Sequence, residues 1–122
     1  MTVAYWVVAS LLAALYLYSG GKKVLQSRDQ LRPMMAWVDD LPLPLVRAIG
    51  VLEVLGAVGL IVPPLVGVAP GLALASAIGF VLLQIGAIAL HVRRGEVRSA
   101  FGFNGTLLVL ACVTVWLATI WV

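Results

Sequence analysis

Charged residues are scarce in this chain of 122 residues, where Asp, Glu, Lys and Arg together make up only 11%. A soluble domain carries about 25%. Hydrophobic residues make up 63%, and the mean hydropathy is +1.13. So short a chain cannot bury this much apolar surface in a soluble fold, because small domains have the highest surface-to-volume ratio. We therefore predict an integral membrane protein and exclude a nucleic-acid-binding module, although the sequence pI is near 9.5.

Cysteine and histidine each occur once, as Cys112 and His91. A single cysteine excludes thiol–disulfide chemistry within one chain, and a single histidine excludes bis-histidine haem ligation. Zinc and iron–sulfur sites need more ligands than the chain supplies. The sequence thus indicates no catalytic constellation and no metal or covalent cofactor, and whether the chain is part of an enzyme stays open. Any redox role would depend on a cofactor held elsewhere or on a diffusible quinone.

Long uncharged blocks divide the chain. Residues 1–21 and 99–122 contain no charged side chain, and residues 48–92 contain only Glu53. About 20 apolar residues cross the hydrocarbon core of a bilayer, and prolines and glycines near the centre of the middle block mark a turn. The predicted fold class is all-α, with residues 1–122 forming a single membrane domain, a bundle of four transmembrane helices. The spans are predicted at about 2–21, 45–63, 70–91 and 101–121.

The charges also predict an orientation. Apart from Glu53, every charged residue lies in 22–47 or 93–98, and four spans place these two connections on one face. Lysine and arginine in short loops stay in the cytoplasm. We therefore expect a multi-pass protein of the cell membrane with loops 22–44 and 92–100 cytoplasmic and both termini extracytoplasmic. A cleavable signal peptide is the alternative for the first span, but residues 1–10 lack the basic start of such peptides.

Apolar side chains recur at helical spacing within the first loop, from Leu31 to Leu41. This spacing predicts a short amphipathic segment on the inner leaflet, between the first and second helices. Such a segment is either a partly buried connector or a functional lid, and the sequence does not favour one over the other. In the third span, Ala75, Gly79 and Gly86 share one face, where small residues let another helix approach closely. Tyr5 falls at the outer edge of the first span, where tyrosine favours the headgroup level.

Glu53 is the only charged residue deep inside a predicted span, about 12 Å from the start of its helix at 1.5 Å per residue. A lone carboxylate at that depth is costly, so it must pair with Lys23 or Arg47, or be protonated. Other polar groups fall at the same end of the spans. The candidate ligand-binding residues are Lys23, Glu53, Gln84, His91 and Asn104. The structural alternative is that Glu53 only holds the bundle together.

The chain resembles the DoxX-like family of membrane proteins. The resemblance rests on Gly20-x-x-Lys23 at the end of the first span, the run from Gly50 through Glu53 to Pro63, His91 after a glycine-rich third span, and Asn104 early in the fourth. It implies a four-helix integral membrane protein, mostly of bacterial plasma membranes. It also implies association with quinone-linked oxidoreductases or with assemblies that respond to oxidant and thiol stress, and a shared site formed by Lys23, Glu53 and His91.

Three functions are weighed on this basis. The favoured one is a small non-catalytic subunit that binds a quinone-like or other amphipathic molecule near the cytoplasmic leaflet. A proton-coupled transporter is the second, because one membrane glutamate in four short spans is similar to the small multidrug resistance family. A structural assembly partner is the third. The expected partners are the lipid bilayer, membrane or cytoplasmic redox proteins and a second copy of the chain.

Overall fold

The computed structural model describes residues 2–31, 33, 41–96 and 102–122. In this part of the chain there are helices and no strands. The helices are α1 (Thr2–Leu25), α2 (Arg28–Leu31), α3 (Leu43–Val66), α4 (Leu72–Arg93) and α5 (Phe103–Ala118), which continues as a 3-10 turn, Thr119–Trp121. Four of them, α1, α3, α4 and α5, are long and apolar enough to cross a membrane. The predicted all-α bundle with four membrane spans is confirmed.

The four long helices form a ring in which α1 packs on α3, α3 on α4, α4 on α5 and α5 on α1. Nearly all charged side chains of the described residues lie where α1 and α4 end and where α3 begins, which we call the charged end. Apolar side chains fill the middle of the bundle, among them Leu12, Leu60 and Phe80. A second cluster closes the opposite, uncharged end and includes Tyr5, Ala73 and Leu117.

The second long helix passes through the two prolines that the sequence suggested as its end. Pro63 and Pro64 lie inside α3, which continues to Val66. The helix ends instead at Gly67, which has a φ of 72° and donates its N–H to the Pro63 carbonyl. Glycine adopts this left-handed conformation without steric cost, so it terminates helices readily. The predicted turn is therefore real but begins after the prolines.

The closest helix contacts are not where the small-residue face of the third span predicted them. Gly79 and Gly86 on α4 have no neighbouring atom within 4 Å of the position a Cβ would take, so the prediction was wrong there. Close approach occurs between α1 and α3, where a Cβ on Gly20 would lie 2.7 Å from the Gly50 carbonyl oxygen. Tyr5, at the uncharged end, is fully buried within the bundle.

The loop after α1 is described only in part. Leu31 at the end of α2 is fully buried and packs with Val46 of α3 and with Leu41. These contacts support a partly buried connector at both ends of the loop. The centre of the predicted amphipathic segment, residues 34–40, lies outside the described residues.

Candidate functional site

A buried ion pair joins α1 to α3 near the charged end. Lys23 Nζ donates to Glu53 Oε1, and the two residues are only 6% and 3% exposed. Lys23 also donates to the Ser19 hydroxyl one turn earlier, at 2.9 Å. The Lys23 ammonium thus supplies the positive charge that a carboxylate inside a span needs. The second oxygen, Glu53 Oε2, is buried and has no hydrogen-bond partner among the described residues.

Arg47, the other predicted partner of Glu53, has a different role. Its guanidinium donates to the backbone carbonyl of Lys23 at 2.6 Å. The last carbonyls of a helix have no donor within the helix, and positive charge is favourable there. Arg47 therefore caps the end of α1 and fixes the backbone that carries Lys23.

The side chain of Gln84 on α4 is also buried. Its Nε2 donates to the Tyr16 hydroxyl at 2.6 Å, and the Tyr16 ring stacks on Phe80 with centroids 3.8 Å apart. Gln84 Oε1 has no partner among the described residues. If the amide is flipped, the hydroxyl donates to Oε1 and the amide nitrogen is left instead. Either way, one polar atom of a nearly inaccessible amide stays available to a ligand.

His91 lies at the charged end of α4, beside the loop that follows. Its Nδ1 is 3.0 Å from Glu96 Oε1, and Arg94 Nε donates to the same oxygen at 2.9 Å. These hydrogen bonds hold the pKa of the Glu96 carboxyl below its ordinary value. Because Glu96 engages Nδ1, Nε2 is the ring nitrogen that remains for a ligand.

Four of these side chains, Lys23, Glu53, Gln84 and His91, line one cavity of about 980 Å³ at the charged end. Small-molecule sites have volumes of roughly 300–1,000 Å³, with mostly apolar walls and a few polar groups. Leucine and aromatic side chains form most of this wall, including Leu83, Leu107 and Phe103. All five candidate residues line it as well: Lys23, Glu53, Gln84, His91 and Asn104.

The model of the DoxX-like family matches residues 7–114, which is most of the chain. The chain belongs to the DoxX-like family. No curated protein and no solved structure matches it at a significant level. The match covers α3 and α4 completely and most of α1 and α5 of this DoxX-like protein.

Two residues beyond the five candidates also line the cavity of this DoxX-like protein. Tyr16 lines the cavity and is the hydrogen-bond partner of Gln84, and Ser19 lines it beside Lys23. Both lie on the helix face that Lys23 occupies, seven and four residues earlier, so helical spacing in the sequence already places them beside Lys23. The stacking of Tyr16 on Phe80 had no comparable signal, because it depends on how α1 and α4 are placed.

The cavity can bind a molecule that has both polar and apolar parts. The Lys23 ammonium and the Tyr16 hydroxyl can donate hydrogen bonds, while Glu53 Oε2 can accept one. A buried polar atom without a partner costs about 1–3 kcal/mol, so a ligand that satisfies Glu53 and Gln84 regains that free energy. The apolar walls suit the remainder of such a ligand.

Proposed function

We propose that this DoxX-like protein is a small, non-catalytic membrane subunit that binds a quinone-like molecule in the cavity at its charged end. In this role the bound quinone would exchange electrons with a separate oxidoreductase or stress-response assembly. The observation that carries the proposal is the convergence of Lys23, Glu53, Gln84, His91 and Asn104 on one largely apolar cavity inside a membrane bundle.

The chemistry of a quinone headgroup fits the polar part of this cavity. Each quinone carbonyl accepts hydrogen bonds, and Lys23 and Tyr16 can supply them. A reduced quinol has hydroxyl protons, for which Glu53 Oε2 and Gln84 Oε1 are buried acceptors without a partner. A carboxylate at this position could also take up or release a proton. Both oxidation states therefore find matching groups.

The position of the basic residues supports a cytoplasmic location for the cavity. All eight lysines and arginines of the sequence fall within residues 22–47 and 93–98, the two stretches of sequence that connect the spans on that side. Basic residues in short loops remain cytoplasmic. The cavity would then open at the depth of the inner headgroups of the cell membrane, with both termini on the opposite side.

The proposal is tested by titrating the purified protein with a decyl-substituted benzoquinone in neutral micelles and measuring the heat of binding. We expect Glu53→Gln to weaken binding by about tenfold or more. Asp29→Asn is the matched control, because Asp29 is an exposed acid of α2 at the same end of the bundle and does not line the cavity. Gln84→Leu preserves the ion pair, so a loss of affinity there assigns the effect to the cavity rather than to misfolding.

A structural assembly role is the second candidate, and the buried Lys23–Glu53 pair between α1 and α3 favours it. If the pair acts only in packing, Glu53→Gln should lower the midpoint of thermal unfolding while Gln84→Leu leaves quinone affinity unchanged. Wild-type protein that binds no quinone under these conditions contradicts the proposed function and leaves the structural role as the better account.

A further inference from the structure

We propose that the ligand enters the cavity sideways from the lipid, through a cleft between α3 and α4, and that its apolar tail remains in this cleft. The cleft is lined by Ile49 and Leu52 on α3 and by Gly79, Leu82 and Gly86 on α4. The inference rests on the proposed function and deepens it, since it assigns the ligand to membrane-dissolved molecules with a hydrocarbon chain.

The two helices are in close contact towards the uncharged end. A Cβ on Gly56 would lie 2.6 Å from the Phe80 ring, and one on Gly59 would collide with the Ser76 side chain. These contacts leave no space between α3 and α4 along that half of the bundle. The cleft is therefore closed towards the uncharged end, and a ligand tail that lies in it does not reach the opposite leaflet.

Beside this contact and towards the charged end, the cavity lies between the flanks of α3 and α4. At 100° per residue, Ile49 and Leu52 fall on the side of α3 that carries Gly56, and Gly79 and Gly86 lie about 60° and 80° from Ser76, on the flank of the α4 side that contacts α3. No atom lies within 4 Å of the Cβ position of either Gly79 or Gly86. Leu52 and Leu82 are 56% and 64% exposed on the two edges. The cavity thus opens laterally where the bundle faces hydrocarbon.

The inner end of the cleft leads to polar atoms that point to a ligand. Glu53 and Gln84 are 3% and 5% exposed, and each has a buried oxygen without a partner among the described residues. Both line the same cavity as Gly79 and Gly86. A molecule that fills this space needs a polar headgroup near Glu53 and an apolar segment between the helices.

This arrangement favours the entry of a membrane-dissolved ligand over that of a water-soluble one. The edges of the cleft are aliphatic side chains or glycine, so they offer no hydrogen bonds to a polar molecule in transit. A ligand that partitions into the bilayer is already concentrated beside the opening. Its tail exchanges contact with lipid for contact with the helices, and only its headgroup moves into the protein.

The test fills the cleft with side chains. Gly79→Leu and Gly86→Leu place leucine in open space, and Gly21→Leu is the matched control because Gly21 is also helical and has nothing within 4 Å but does not line the cavity. We expect both cleft variants to weaken binding of decyl-benzoquinone by about tenfold or more. Binding of tail-less tetramethyl-benzoquinone should change by less than about twofold, and the control should change neither. Unchanged affinity for the decyl compound in both cleft variants overturns the proposal.

A second measurement separates this inference from the quinone assignment. Vesicles containing decanol with a terminal diazirine are irradiated, and the labelled residues are identified by mass spectrometry. We expect labelling of the half-buried Leu83 and Ala87 in the wild type and in Gly21→Leu, and its loss in the two cleft variants. Such labelling without quinone binding would refute the proposed function and retain the lateral opening. Labelling that is absent from the wild type, or that persists in the cleft variants, overturns the lateral opening.

Discussion

The Tyr5 hydroxyl on α1 donates a hydrogen bond of 2.5 Å to the Leu60 carbonyl on α3. In a regular helix, this carbonyl would accept from the N–H of residue 64. Residue 64 is a proline, which has no N–H. An unsatisfied backbone group inside a bilayer costs several kcal/mol, and Tyr5 removes that cost. The hydroxyl therefore explains how α3 continues through Pro64 and at the same time ties α1 to α3 near the uncharged end.

Tyr5→Phe should lower the free energy of unfolding by about 1–3 kcal/mol, because it leaves the Leu60 carbonyl buried without a donor. Pro64→Ala restores the N–H that α3 lacks, so Tyr5→Phe should cost distinctly less in that background. Reversible unfolding in mixed micelles, followed by far-ultraviolet circular dichroism, gives the free energies of unfolding of the wild type, the two single variants and the double variant. An equal loss in both backgrounds would show that the hydroxyl acts elsewhere, for example through the edge-on contacts of Tyr5 with Trp6 and Trp121.

The Lys23–Glu53 pair should be expensive to break from either side. Lys23→Met or Glu53→Gln should each lower the free energy of unfolding by about 3–5 kcal/mol, because a buried charge loses its partner. The double variant should lose much less unfolding free energy than the two single variants lose together. Lys22→Met is the control, since Lys22 lies 5.4 Å above the exposed Tyr18 ring and makes a contact of only about 0.5–1 kcal/mol. Additive losses in the double variant would contradict a direct pair.

The four-helix bundle and much of the cavity lining could be predicted from the sequence, because both follow from the free-energy cost of placing polar groups in hydrocarbon. Uncharged blocks of sufficient length must span, and the single carboxylate within them must find a cation. Lys23 was one of two cations close enough, and the structure selects it. Arg47 could not be distinguished beforehand, because its contact is to a backbone carbonyl whose position depends on how α1 and α3 cross.

The features that the sequence did not predict depend on the relative placement of helices. Pro63 and Pro64 are of a residue type that usually marks a turn. Here α3 continues through them because the Tyr5 hydroxyl of another helix donates to the Leu60 carbonyl, which Pro64 leaves without a donor. Gly79 and Gly86 are likewise of a residue type common at helix contacts, and only the way α4 is turned against its neighbours leaves them facing open space. A local sequence pattern contains neither fact, since the first joins residues 55 positions apart and the second is an absence of neighbours.

Stability should fall in acid partly through Glu96, whose pKa is held below the ordinary value of 4.5 by hydrogen bonds from His91 and Arg94. A carboxyl with a lowered folded-state pKa stabilises the fold above its unfolded pKa, and this contribution is lost as the pH falls through the lowered value. The unfolding midpoint of the wild type should therefore exceed that of Glu96→Gln above about pH 5, and the gap should close in stronger acid. A gap that is independent of pH would contradict this role of the ionised carboxylate.

Gly20 and Gly50 should tolerate no side chain, because they bring the backbones of α1 and α3 together beside the ion pair. A Cβ on Gly50 would lie 2.7 Å from Lys23 Cβ and 2.9 Å from the Gly20 carbonyl oxygen. Gly20→Ala and Gly50→Ala should each cost about 1–3 kcal/mol of unfolding free energy through overpacking. Gly21→Ala supplies the matched comparison on the same helix, where open space surrounds the residue, and there alanine should stabilise by about 0.5–1 kcal/mol. Equal effects at Gly20 and Gly21 would mean that α1 and α3 do not approach as closely as described.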